Sequence, residues 1–307
     1  MSEEIIVVKN VRKYFNDIKA VDDISFIVKE GEFFSFLGIN GAGKSTTINM
    51  ITGMIPMDNG EIYVNGHSID NHSMDVKQEI GVVFQSTGLD MPLSVYDNLF
   101  FRGKLYNIQT SELKARIHEL SCQLEFKEFL HRPLNKLSGG QKRKIDLARA
   151  LIHHPKIIIL DEPTTGLDPK TRKLMWEYLN DLRKKEKLTI FLTTHYMEEA
   201  AQSDYVIIID EGKIVTSGTP FELKEKYTQD YIKVYKNNLS EELIKQFETI
   251  FEGKYKNEKE YYILQLTSPN QAKELIIAYP EFFDDFEVYK GDMDDVFINV
   301  TGKDIGD

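Results

Sequence analysis

Gly38-Ile39-Asn40-Gly41-Ala42-Gly43-Lys44-Ser45-Thr46 fits the pattern G-x-x-x-x-G-K-[ST], and its flanks fit as well. Ahead of it, Phe33-Phe34-Ser35-Phe36-Leu37 is apolar and short enough for a buried strand. Behind it, Thr47 to Thr52 reads as a helix with Gly53 as its stop. Strand, glycine loop and helix in that order build a phosphate cradle. The loop N–H groups point inward, and the positive end of the helix dipole faces the anion. Asn40, Gly41, Ala42, Gly43, Lys44, Ser45 and Thr46 would then wrap the phosphates of a nucleoside triphosphate. In this pattern Lys44 reaches the β- and γ-phosphates, and the Ser45 hydroxyl takes a place on Mg²⁺. A glycine turn before a surface helix is the plainer alternative; the flanking strand and helix weigh against it.

Further along, Lys156-Ile157-Ile158-Ile159-Leu160-Asp161-Glu162 is a buried parallel-type strand with two carboxylates at its C-terminal end, where α/β sheets place ligands. Asp161 suits Mg²⁺ held through water, and Glu162 suits a base that orients and deprotonates an attacking water. Leu188–Thr194 is a second such strand, ending in His195. Ile80–Gln85 is a third, ending in a polar amide, and Val206–Asp210 with Lys213–Ser217 reads as a hairpin around Glu211-Gly212. Leu137-Ser138-Gly139-Gly140-Gln141 runs straight into a helical stretch, Lys142–His153. Ser138 is a natural N-cap there, and the helix start is a second place suited to an anion.

Between these elements the periodicity changes. Ile5–Asn10 and Ile24–Val28 read as strands separated by a connection, Val11–Asp23, which holds Tyr14-Phe15; Gly60–Gly66 is a short alternating strand. Together they predict a small antiparallel sheet beside the nucleotide core. From Val95 to Phe129 apolar residues recur at helical spacing (Leu113, Ile117, Leu120, Leu124), with Thr110 or Ser111 available as N-cap. A helical insertion at about residues 86–155 therefore divides an α/β core. The last part, 219–307, reads as helix (Thr219–Tyr227), strand (Tyr231–Lys236), helix (Ser240–Glu252), strand (Tyr261–Thr267), helix (Pro269–Tyr279) and strand (Phe286–Tyr289). Asp294–Thr301 fits strand or short helix equally.

Composition bounds the rest. The chain of 307 residues is 41% hydrophobic and 28% charged, ordinary for a chain that buries a core. Its longest aliphatic runs, Ile157–Leu160 and Val206–Ile209, are far short of a membrane span. Met1-Ser2-Glu3-Glu4 has no signal-peptide pattern, and a single cysteine, Cys122, offers neither disulfide nor metal cluster. These features predict a cytosolic chain. Net charge is −11, of which residues 219–307 carry 19 acidic and 11 basic side chains, a net of −8. Neither part is basic overall, which argues against nucleic acid as a partner.

The ordered set of Gly38–Thr46, Gln85, Leu137–Gln141, Ile157–Glu162, Thr165-Gly166-Leu167-Asp168 and His195 resembles the nucleotide-binding domain of ATP-binding cassette (ABC) transporters over roughly residues 5–218. The Leu-Ser-Gly-Gly-Gln stretch before an Asp-Glu strand is the most specific element. The resemblance implies a RecA-like P-loop core with an antiparallel β subdomain and an inserted helical subdomain in 1–218, followed by a small C-terminal α/β accessory domain in 219–307. It implies ATP and Mg²⁺ as ligands, with Ser45, Gln85 and Asp161 around the metal and Tyr14 stacking on adenine. Ser138, Gly139, Gly140 and Gln141 would meet the γ-phosphate held by a second copy, near the dimer interface crossed by Asp168. Glu162, His195, Gln85 and Lys44 would carry catalysis. A separate integral-membrane permease would dock near Ser86–Phe101, placing the chain at the cytoplasmic face of the cell membrane. Gly88–Val95 and the Met293–Gly302 tail resemble the drug-resistance-type exporters of the ABC-2 class. A soluble ABC ATPase acting on nucleic acid or ribosomes is the alternative; the single cassette, the absence of a heptad run and the acidic balance speak against it.

Overall fold

The computed structural model describes residues 3–303; residues 1–2, the first half of the Met1–Glu4 stretch that has no signal-peptide pattern, and residues 304–307 lie outside the described part. The described residues fall into two compact units, one running to Ser217 and the other beginning at Gly218.

The first unit opens with β1 (Glu4–Phe15) and β2 (Ile18–Lys29), which pair antiparallel along their whole length, down to Tyr14 opposite Lys19 and Phe15 opposite Ile18. The expected connection Val11–Asp23 is therefore strand, except at the Asn16-Asp17 turn. Register shifts between Val8 and Val11 and between Val11 and Lys13 break the alternation, so the strand pattern in the sequence ends at Asn10 while the strand itself continues. Next come β3 (Phe33–Leu37), buried at every position, and α1 (Lys44–Ile51), which starts three residues earlier than its apolar pattern suggests. β4 (Asn59–Val64) and β5 (His67–Ser68) complete a four-stranded antiparallel sheet ordered β2-β1-β4-β5.

After α2 (Ser73–Glu79) and β6 (Ile80–Val83) the chain turns helical: α3 (Val95–Leu105), α4 (Thr110–Gln123) and α5 (Gly139–Leu151). Leu113, Ile117, Leu120 and Leu124 are buried, as their spacing predicts. Neither Thr110 nor Ser111 caps α4: Gln109 holds the N-cap position without a side-chain bond, and Thr110 already lies in the helix. Then follow β7 (Ile157–Asp161), α6 (Pro169–Glu186), β8 (Thr189–Thr194), α7 (Met197–Ala200), β9 (Tyr205–Asp210) and β10 (Lys213–Gly218). These close a six-stranded sheet ordered β10-β9-β3-β8-β7-β6. The pairs β9/β3, β3/β8, β8/β7 and β7/β6 are parallel. The near-continuous Ile, Leu and Phe of β3 and β7, and the Ile-Phe-Leu run within β8, are what a parallel sheet covered on both faces requires.

The second unit contains α8 (Pro220–Tyr227), β11 (Asp230–Tyr235), α9 (Glu241–Ile250), β12 (Tyr255–Asn257), β13 (Tyr261–Leu266), α10 (Pro269–Ala278), β14 (Phe286–Lys290) and α11 (Met293–Thr301). Its sheet order β12-β13-β11-β14, all antiparallel, is the βαββαβ arrangement of ferredoxin-like folds. Its core joins Ile232, Val234, Tyr262 and Leu264 to Phe247 and Phe282. β12 went unread because three residues, two of them polar, make no pattern. The ambiguous Asp294–Thr301 is helical, with Asp292 accepting from the backbone N–H groups of Asp294 and Asp295. No helix among the described residues is long and apolar enough to cross a membrane.

Candidate functional site

Four neighbouring parallel strands deliver their C-terminal ends to one edge of the sheet. β3 runs into the phosphate loop and β6 into Gln85; β7 ends in Asp161, before Glu162, and β8 leads into His195. The loop is pinned at its start, where Gly38 N–H donates to the carbonyl of Thr194 at 3.3 Å. Gly41 and Gly43 take φ of 83° and 108°, and a Cβ on Gly43 would stand 2.4 Å from the Ala20 carbonyl oxygen. Glycine is thus required at 43 by both backbone and neighbour. α1 starts one residue later, so its free N–H groups face the loop.

A cleft of about 400 Å³ lies over this turn. Asn40, Gly41, Gly43, Lys44, Ser45, Thr46, Gln85 and Glu162 line it, together with Ile18 and Lys19 of the β1–β2 hairpin. Ala42 is buried beneath. Lys44 is 5% exposed; its Nζ donates to the carbonyls of Gly38 (2.7 Å) and Ile39 (3.0 Å) and stands 3.5 Å from Glu162 Oε1. Burial pushes its pKa below the ordinary lysine value, against the opposing pull of Glu162 and Asp161.

Asp161 accepts a hydrogen bond from Thr193 Oγ1 at 2.5 Å, and Ser45 Oγ lies 3.5 Å from the same oxygen. Glu162 has φ 45°, left-handed backbone unusual for glutamate, held by its N–H to the Thr193 carbonyl at 3.1 Å. Its carboxylate collects the site: Gln85 Nε2 donates to Oε2 at 3.4 Å, and His195 Nδ1 stands 3.1 Å from Oε1. The His195 approach is ion-pair distance without hydrogen-bond alignment.

Ser138, Gly139, Gly140, Gln141 and Asp168 gather elsewhere and do not line the cleft. Ser138 caps α5 reciprocally with Gln141, at 3.3 Å and 2.9 Å. Asp168 caps α6 by accepting from Thr171 N–H at 3.0 Å, and a Cβ on Gly140 would stand 3.5 Å from Asp168 Oδ2. Tyr14 also stays out of the lining: its hydroxyl donates to Asp22 at 2.9 Å and Lys19 Nζ lies 5.7 Å from its ring, so Lys19 and Ile18 face the cleft instead.

Sequence reading missed Arg143, Thr193 and Glu199. Arg143, on α5, donates to the carbonyls of Phe84 (2.5 Å), Pro163 (2.7 Å), Glu162 (3.2 Å) and Asp161 (3.3 Å), bridging the segments that carry Gln85 and Glu162. Asp146, fully buried, bonds Arg149 at 2.8 Å and lies 3.7 Å from Arg143; burial drives its pKa up while both arginines oppose. A signal existed: Arg143, Asp146, Leu147 and Ala150 share one helix face, so charge sits where core is due. For Thr193 and Glu199 there was none.

Residues 21–165 match the family described as ABC transporter. The Nod factor export ATP-binding protein I of Ralstonia nicotianae is 38% identical over 240 residues, covering 78% of this chain and 74% of that protein. The linearmycin resistance ATP-binding protein LnrL of Bacillus subtilis is 39% identical over 225 residues, covering 73% and 72%. Among solved structures, the dimeric post-hydrolysis state of the cassette MJ0796 bound to ADP and Pi has TM-score 0.65 at 28% identity, covering 70% of this chain and 98% of that one. For cbiO1 of Clostridium perfringens, part of the transporter complex cbiONQ, the values are 0.66 and 27%, covering 80% and 95%. Taken with the site geometry, similarity of this extent decides the family: the chain belongs to the ABC transporters, as one of their ATP-binding, ATP-hydrolysing cassettes.

Proposed function

We propose that this cassette powers export through a membrane-spanning partner on another polypeptide, working as a pair of cassettes at the cytoplasmic face of the membrane. The convergence of Lys44, Gln85 and His195 on the Glu162 carboxylate beside the phosphate loop carries the catalytic part of this reading. The export direction leans on the two relatives, named for Nod factor export and linearmycin resistance.

Glu162 orients the attacking water and takes its proton; the incoming oxygen bonds to the γ-phosphorus as the bond to the leaving ADP oxygen breaks. Lys44 and His195 stabilise charge on the γ-phosphoryl oxygens, and the α1 N-terminus holds the remaining phosphates. The donor set fits Mg²⁺. Ser45 in the first turn of α1, Gln85 just past β6 and Asp161 at the end of β7 offer hard oxygen donors, and Asp161 Oδ2 has no hydrogen bond among the described residues. Ser45, Gln85 and Asp161 would hold Mg²⁺, which would supply electrostatic neutralisation of the charge developing on the transferred phosphoryl group.

Ser138–Gln141 and Asp168, away from the cleft, are read as the surface for ATP held by a second copy. The half-exposed Ser86–Phe101 stretch is read as the dock for the membrane subunit. The test is affinity capture of the tagged chain from detergent-solubilised membranes. Near-equal recovery of a multi-spanning protein is the expected result; recovery with ribosomes or nucleic acid in its place would overturn the transporter assignment.

A further inference from the structure

Glu199, on α7, is 4% exposed, and both its carboxylate oxygens are engaged by buried hydroxyls. Thr164 Oγ1 donates to Oε1 at 2.5 Å and Thr194 Oγ1 donates to Oε2 at 2.8 Å. The ion pairs nearby go elsewhere. Lys44 and His195 face Glu162, Arg143 and Arg149 face Asp146, and none among the described residues reaches Glu199. A carboxylate buried without a cation is a costly core filler, so packing alone does not account for it.

The two hydroxyls belong to segments the reaction needs. Thr194 ends β8 directly before His195. Its carbonyl accepts from Gly38 N–H of the phosphate loop at 3.3 Å, and its hydroxyl accepts from Tyr196 N–H, just past His195, at 2.9 Å. Thr164 stands two residues after Glu162 and opens a turn closed by Leu167 N–H to its carbonyl at 3.0 Å, which leads to Asp168. One side chain therefore ties both flanks of His195 to the segment between Glu162 and Asp168.

We infer that Glu199 is a positioning residue for ATP hydrolysis, acting through Thr164 and Thr194 to hold His195 and the Glu162–Asp168 segment in register with the phosphate loop. This rests on the roles proposed above for Glu162 and His195. Glutamine at 199 keeps the volume but offers one acceptor oxygen. A threonine facing its NH₂ group must accept instead of donate, which leaves the buried hydroxyl's own proton without its present acceptor. One anchor loosens while the fold has little reason to change.

The experiment uses the full-length chain: steady-state hydrolysis of Mg²⁺-ATP and ATP bound per chain for Glu199→Gln, Thr194→Val, Thr194→Ser and the Glu199→Gln/Thr194→Val pair, with His195→Ala as reference. Glu199→Gln and Thr194→Val are expected to lower kcat about tenfold, with KM and bound ATP unchanged. The pair should fall no further than about tenfold, against about a hundredfold for independent sites. Thr194→Ser, which keeps the hydroxyl, should restore the parental rate to within about twofold. A parental rate for Glu199→Gln beside an inactive His195→Ala overturns the positioning role alone. Activity lost in step with bound ATP makes Glu199 merely structural, and additive losses in the pair separate the two residues. Full activity in His195→Ala removes the site reading underneath.

Discussion

Arg143 Nη2 donates to the backbone carbonyl of Glu162 at 3.2 Å, so a residue of helix α5 holds the candidate general base by its main chain. Left-handed backbone at a non-glycine residue costs about 1–3 kcal/mol and persists only where the surroundings fix it. Lysine at 143 keeps a charge but not the planar fork that reaches four carbonyls. Arg143→Lys should lower kcat at least about tenfold and unfolding free energy by about 2–3 kcal/mol. Urea unfolding and an ATPase assay read both; parental values in each would deny the bridge any role.

Glu162→Gln should bind ATP normally and hydrolyse it about 10²–10⁴ times more slowly, the usual contribution of a positioned base. Trapped before hydrolysis, two such chains should associate at saturating Mg²⁺-ATP. Light scattering that finds only monomer under those conditions would count against a paired cassette.

Gly43→Ala puts a Cβ 2.4 Å from the Ala20 carbonyl on backbone at φ 108°. Relief requires the loop or the β1–β2 hairpin to move, and both border the cleft. We expect loss of ATP binding by calorimetry, together with destabilisation of about 1–3 kcal/mol. Gly139→Ala makes the contrast, since a Cβ there meets nothing within 4 Å; ATP binding to the single chain should survive it.

His153 stacks on Tyr106 at 3.8 Å and lies 3.2 Å from the Ile80 carbonyl; burial pulls its pKa from 6.5 down to about 4. Because the folded-state value is depressed, the unfolded chain binds a proton below about 6.5 that the native chain refuses until about 4. Stability from this residue is therefore complete above that window and falls as pH drops through it, by at most about 3 kcal/mol. Urea unfolding across the window should show a flatter acid limb for His153→Phe. An unchanged slope would mean that His153 titrates normally.

What was legible in the sequence is what is local in the chain. Gly38–Thr46 and Ile157–Glu162 each spell strand, turn and chemistry in consecutive residues, and the sheet gathers those ends as the pattern implies. The β1–β2 hairpin was half read, because bulges around Val11 disturb the period on which strand recognition rests. Arg143 and Glu199 lay further out of reach. Arg143 bonds Phe84, 59 positions away in sequence, and Glu199 bonds Thr164, 35 away. No spacing rule announces a bond that exists only after folding. Tyr14 shows the converse. Its bond partner is set by the hairpin register, which brings its hydroxyl to Asp22 and places Lys19 and Ile18 in the cleft lining, an arrangement that its position in the chain does not announce.

The order β3-β8-β7-β6 has a consequence for how the protein loses activity. The phosphate loop, His195, the two carboxylates and Gln85 hang from adjacent strands of one ladder, and β8 pairs with both β3 and β7. Fraying of the edge strand β6 releases Gln85 alone, whereas the loop, His195 and the two carboxylates hang from inner strands and are not detached singly. The amides of β7 and β8 should exchange with solvent only by opening of the whole unit, so the slowest deuterium uptake in the cassette should mark its reaction centre. The part of the site on β3, β7 and β8 survives or vanishes with the fold, and partial damage to it has to arise in the side chains or at the Gln85 edge.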